Sequence, residues 1–272
     1  MTDTLSRRHF LNHALLLGAA ATSTSRLLAK EPEGQLDFPL TDFHVHLSGY
    51  LPIEKALALS KKRGVKFGIV DHPGPNYTVR NDAALQKYIG NLRQYPVYVG
   101  LQPVFPGWAK AFSKKLLAKL DYVLMDAMTL PEKDGGWLRM WRADTFVEDE
   151  NAFMKRYIDF SLQIMSEESI DIFAWATFLP PGIARFYDRL WTKRRMQQLI
   201  DAAKENDIAI EIHEVARVPS EEFIKLAKAA GLKFTFGTGA RTDNAGRFHY
   251  CIDVARKCGL TKNDMFRIPD KS

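Results

Sequence analysis

The sequence predicts an α/β fold, one closed barrel of seven parallel strands with helices outside. Three observations predict it. From Leu40 onward, short β-prone runs alternate with helical runs, the pattern of repeated βα units and a parallel sheet. Those runs span five to seven residues and are apolar, as strands buried on both faces are. Acids and histidines gather where the runs end, and no glycine-rich phosphate loop follows the first run. That favours a barrel with its site at the C-terminal rim over an open doubly wound sheet.

The first strand, Leu40–His46, ends Asp42-Phe43-His44-Val45-His46. A helix follows over Pro52–Arg63, where Ile53, Ala56, Leu57 and Leu59 recur at helical spacing and Gly64 is the stop. Lys66–His72 ends Val70-Asp71-His72 before the chain-turning Pro73-Gly74. Val97–Gln102 and Tyr122–Met128 are the third and fourth strands, and the fourth carries Asp126. Asp149–Met165 reads as a long helix before the fifth strand, Asp171–Ala176. A second long helix, Arg189–Asn206, leads to Ile208–His213, which ends Glu211-Ile212-His213-Glu214. Pro219-Ser220-Glu221-Glu222 opens a helix with early acids, Phe223, Leu226 and Ala227 continue it, and Gly231 ends it. Lys233–Gly237 is the last strand. Cys251 and Cys258 sit seven apart in a helical stretch, about 10 Å at 1.5 Å per residue, too far for a disulfide. They fill a helix face. Seven such units leave little room for a second domain, so residues 37–268 are read as one barrel.

Residues 1–30 read as a removable export segment. Ser6-Arg7-Arg8-His9-Phe10-Leu11 is a twin-arginine pattern, and Ala14-Leu15-Leu16-Leu17-Gly18-Ala19-Ala20-Ala21 is its apolar run. That run is shorter than the roughly 20 residues a membrane span needs. Small residues from Ala19 to Ser25 suit cleavage, and no cysteine follows for a lipid anchor. The expectation is export through the twin-arginine translocase to the periplasm or beyond, with no stable membrane anchor afterwards. The net charge of +6 is partly this segment's: residues 1–30 hold four of the 38 Lys and Arg and one of the 32 acids, leaving +3. So mild and evenly spread a charge excludes nucleic acid as the expected partner.

The strand ends carry the chemistry. Alternation turns His44 and His46 the same way, with Cα atoms about 6–7 Å apart, so that both imidazoles can reach one divalent metal. Asp71 and His72, Asp126, and His213 with Glu214 stand on other ends of the same rim.

These segments resemble the PHP (polymerase and histidinol phosphatase) superfamily, metal-dependent phosphoesterases on a distorted, TIM-like seven-stranded barrel. Asp42-Phe43-His44-Val45-His46 is similar to that family's first motif, and Ile69-Val70-Asp71-His72 to its second. Ala209-Ile210-Glu211-Ile212-His213, and the stretch from Pro219 to Phe236-Gly237-Thr238, resemble its last two strands and their helix. The likeness runs from about Leu40 to Leu260 and implies a trinuclear metal site, but the chain departs from it. Gln102, Met128, Trp175, Gly239 and Arg241 stand where the family has ligands, and an arginine adds positive charge where a metal would be.

The reading is therefore an exported hydrolase with a reduced site. His44, His46, His72 and His213 hold one Zn²⁺, Mn²⁺ or Fe²⁺, and Asp71, Asp126 or Glu214 is the general base. Arg241 with Arg217 binds the anionic group of a small substrate. Asp126 or Glu211 must neutralise Arg241 for a metal to stay. The alternative is a catalytically inactive binding protein that keeps the barrel and a few rim histidines.

Overall fold

A computed structural model describes residues 36–132 and 134–268. The expected export segment lies outside the described residues. The chain runs through β1 (Leu40–Val45), α1 (Ile53–Arg63), β2 (Val65–Asp71), α2 (Asp82–Leu92), β3 (Tyr98–Leu101) and α3 (Lys114–Leu117). Next come β4 (Tyr122–Met125), β5 (Thr129–Pro131), β6 (Trp137–Arg139), α4 (Glu150–Glu167), β7 (Ile172–Phe173) and α5 (Tyr187–Leu190). It ends with α6 (Lys193–Glu205), β8 (Ala209–His213), α7 (Glu221–Ala229), β9 (Phe234–Gly237) and α8 (Tyr250–Lys257).

The expected barrel is there. Seven strands close in the order β1-β2-β3-β4-β7-β8-β9, every pair parallel, with Asp42 opposite Phe236 at the seam. All seven lie within a residue of, or inside, the expected spans. Helices take the outside because each has one apolar face to bury: Met196, Leu199, Ile200 and Ala203 on α6, and Phe223, Ile224 and Ala227 on α7. Gly64 ends α1 in the left-handed conformation, and the Ser220 hydroxyl caps α7. Cys251 and Cys258 are free and buried, as expected of helix-face residues.

Two features differ from the expectation. The span 189–206 is not one helix, because Thr192 accepts a hydrogen bond from the Arg195 amide and restarts the chain as α6. Between β4 and α4 the chain also forms an antiparallel hairpin, β5 with β6, paired from Thr129 with Arg139 to Pro131 with Trp137. No described helix is long and apolar enough to cross a membrane.

Inside the barrel, Phe43, Val70, Tyr122, Leu124, Ile172, Ala174 and Ala209 form a separate apolar cluster below the C-terminal mouth. Tyr122 lies across this space and its hydroxyl donates to the Phe43 carbonyl at 2.6 Å. It fits because β2 and β3 present glycines there. A Cβ on Gly100 would lie 2.6–2.8 Å from the Tyr122 ring. Gly100→Ala should therefore cost about 1–3 kcal/mol, as overpacking does. Gly90, exposed in α2 with open space at its Cβ, should instead gain about 0.5–1 kcal/mol as alanine. Urea titration of the two variants checks both signs.

Candidate functional site

Parallel strands put their C-terminal ends on one rim, and here they bring together residues far apart in sequence. His44 and His46 come from the end of β1, His72 follows β2, Gln102 follows β3, Asp126 follows β4, and Glu211 and His213 stand on β8. The imidazoles form a row. Ring centroids are 5.8 Å apart for His213 and His44, 5.3 Å for His44 and His46, and 4.9 Å for His46 and His72.

His44 is the hub of the row. Its Nδ1 donates to Glu211 Oε1 at 2.7 Å and its Nε2 to Gln102 Oε1 at 3.0 Å. Gln102 is turned that way because its amide nitrogen donates to Asp126 Oδ2 at 2.8 Å. A ring facing acceptors on both nitrogens satisfies both only as imidazolium. Burial opposes that charge, but the Glu211 carboxylate outweighs burial and holds His44 above its ordinary value of 6.5. Burial likewise opposes the Glu211 anion, yet His44 keeps it below its ordinary 4.5. Glu211 Oε2 also accepts from the Trp175 amide at 3.0 Å. Burial raises the Asp126 carboxyl, which accepts from the Met128 amide as well.

The other imidazoles are neutral near pH 7. Burial, with the charges of His44 and Arg241 behind it, pushes His46 well below the usual range. Burial brings His213 to about 4, and burial also lowers His72.

His44, Glu211 and His213 each offer a ligand atom, and these atoms all lie within 4.8 Å of one another. All three residues are buried, at 2%, 0% and 1% exposure. This group can hold a metal ion once His44 gives up a ring proton and the hydrogen bond on that nitrogen. His213 Nε2 and His46 Nδ1 are buried with no hydrogen-bond partner, a costly state for a ring nitrogen. Two imidazoles and a carboxylate also suit Zn²⁺, Mn²⁺ or Fe²⁺ better than Mg²⁺. Glycines leave the space. A Cβ on Gly239, at φ 60°, would lie 2.9 Å from His213 Nε2, and one on Gly237 would overlap Glu211 and lie 2.9 Å from His44 Cβ.

Backbone on either side holds the group in place. The turn after β8 wraps His213: its amide donates to Val218 O at 2.7 Å, and the Ala216 amide donates to its Nδ1 at 3.1 Å. Trp175 lies over the ring of His213, centroids 3.8 Å apart and planes 32° apart. Trp175 and Thr177 adopt φ of 52° and 67°, strained for residues with bulky or branched side chains, and such strain concentrates at functional sites.

Of the four imidazoles expected to share a metal, two belong to the ligand group. His46 lies beside it. His72 stands apart with both nitrogens engaged, Nδ1 donating to Gln102 O at 2.8 Å and Nε2 accepting from Arg241 at 3.0 Å. Glu211 neutralises His44, so it is not the counter-charge expected for Arg241. The charge that reaches Arg241 is that of Asp71, whose Oδ1 accepts from the His72 amide. Glu214, expected as a general base, instead caps the start of α8: its oxygens accept from the amides of His249, Tyr250 and Cys251. Arg217 is exposed, its guanidinium 5.4 Å from the centre of the Tyr250 ring. Glu211, Gln102 and Trp175 were not expected in these roles. The signal for Glu211 was in the sequence, since it precedes His213 by two residues, the same spacing that aligns His44 with His46.

No family model and no curated protein matches the chain. Among solved structures it is similar to a chain of an archaeal ribonuclease P complex with mature tRNA. That match has 12% identity and a TM-score of 0.40, covering 85% of this chain and 97% of the other. So distant a likeness carries no argument about activity.

Proposed function

We propose that the chain is an exported, metal-dependent hydrolase of small anionic substrates, a divergent relative of the PHP phosphoesterases with a single metal seat. The observation that carries this reading is the convergence of His44, Glu211 and His213 within 4.8 Å around an unpartnered ring nitrogen. A divalent ion there supplies a positive charge that polarises a scissile carbonyl or phosphoryl oxygen.

The protein's own groups do the rest. Arg241, exposed at the mouth and braced by His72, binds the substrate's anionic group. Asp71, half-buried beside His72, is the carboxylate best placed to take up a proton near that group. Gln102 and Asp126 keep the His44 ring in one orientation, a positioning task rather than a chemical one. Trp175 shields the group from water, which strengthens every charge beneath it. Because His213 Nδ1 accepts from the Ala216 amide, Nε2 of the neutral ring carries the proton, and loading a metal at Nε2 would require that proton to shift to Nδ1 and the amide to turn away.

One observation favours a second reading, a binding protein without catalysis: His44, His46 and His213 are only 1–3% exposed, and Arg241 caps His72. Calorimetric titration of the metal-free protein with Zn²⁺ and Mn²⁺ tests the first step. One ion should bind at micromolar metal, and His213→Ala should abolish it. No binding to the wild type ends the metal reading. The loaded protein should then hydrolyse p-nitrophenyl phosphate or acetate; binding without turnover selects the second reading.

A further inference from the structure

At the opposite end of the barrel lies a cavity of about 470 Å³, lined where β8 and β9 begin and where α6 and α7 end. Its floor is apolar, made by Ile208, Leu232 and Phe266. Its rim is cationic: Lys204, Lys233, Lys262 and Arg267, against the single acid Asp207. The C-terminal tail builds one wall. The Phe234 amide donates to Asp264 O and the Phe266 amide to Phe234 O, both at 2.9 Å, which zips residues 264–266 along β9. Lys233 Nζ donates to Asn263 O at 2.7 Å and fixes the neighbouring turn. The Phe266 ring anchors the same tail from inside, edge-on to Phe43 at 5.7 Å. The cavity is therefore held by the fold.

The charges call for a ligand. Among the described residues Lys204, Lys262 and Arg267 form no salt bridge or side-chain hydrogen bond, although Asp207 lines the same cavity. Lys204 alone is accounted for by its place in the last turn of α6. Like charges around one concavity repel each other and focus a positive field into it, and a bound anion turns that cost into binding energy. A monocarboxylate would leave most of the charge uncompensated, whereas a phosphate or diphosphate carries two or more negative charges. The apolar floor has room for an organic body, and the volume is that of a small-molecule site.

We infer that this cavity binds a small organic phosphate, with the phosphate on the Lys204, Lys233, Lys262 and Arg267 rim and the apolar body over Phe266. It is independent of the metal seat at the mouth.

Adenosine monophosphate and inorganic pyrophosphate serve as probes, titrated calorimetrically into the full chain. Both should bind, with affinity falling as salt is raised. The double variant Lys204→Glu/Arg267→Glu should lose about tenfold or more, the size expected for two charge-assisted contacts, while keeping the wild-type circular dichroism. Arg241→Ala, which removes the anion contact proposed at the mouth, should leave intact the binding that the double variant weakens. Two results overturn the inference: neither probe binding the wild type, or binding that survives the double charge reversal and disappears with Arg241→Ala. Should the double reversal disturb folding, the milder Lys262→Gln takes its place, and it should weaken both probes in the same direction.

Discussion

Glu211→Ala should destabilise the protein by about 3–5 kcal/mol, the cost of leaving a buried charge without its partner. The carboxylate sits at 0% exposure, accepts from His44 Nδ1 and the Trp175 amide, and without it the His44 imidazolium faces an empty, dry space. The loss should depend on pH in a defined way. His44 is raised above 6.5, so its contribution is complete below that value and disappears as pH rises through its folded pKa. Glu211 is lowered below 4.5, so its contribution is complete above that value and disappears as pH falls through its folded pKa. The difference between wild type and Glu211→Gln should then be largest between about 4.5 and 6.5 and shrink on both sides. Urea titrations of metal-free protein across that range check it. A difference flat with pH would mean that His44 is neutral in the folded protein.

Asp42→Ala should cost a similar amount, about 3–5 kcal/mol. Its carboxyl sits where β1 meets β9 and accepts four hydrogen bonds. They come from the His44 amide at 3.2 Å, the Thr238 amide at 3.0 Å, the Thr238 hydroxyl at 2.6 Å and the Gly246 amide at 2.8 Å. Removing the acceptor orphans several buried donors at roughly 1–3 kcal/mol each, offset where water enters. Burial pushes this carboxyl up to about 6 against the pull of those donors. Thermal unfolding should show the loss, and a Tm within a degree of wild type would remove Asp42 from its place as the seam's clasp.

The barrel was legible because each strand is a compact, mostly apolar run flanked by turn residues, as burial on both faces demands. The β5–β6 hairpin was not, since its strands are three residues long, one contains Pro131, and the stretch between them reads as loop. Asp134-Gly135 at its turn was the available signal. At the mouth, alternation placed His44 and His46 on one side, and they do lie together. What alternation cannot supply is the partner across the barrel. Gln102 reads as a lost ligand, yet it joins His44, His72 and Asp126 through its side chain and carbonyl. Glu214 reads as a base because it adjoins a rim histidine, while its true partners, the amides of α8, lie 35 to 37 residues further on.

The closure of the sheet also bears on how the chain behaves when crowded with copies of itself. An open sheet ends in strands whose free amides and carbonyls invite a neighbouring molecule to add on, the first step towards aggregation. With β1 bonded to β9 the barrel offers no such edge. Among the described strands only β5 and β6 keep one, and each is three residues long. Pro131 withholds an amide from one and Arg139 places a charge on the other, so that even this short template is poorly suited to recruit a second chain.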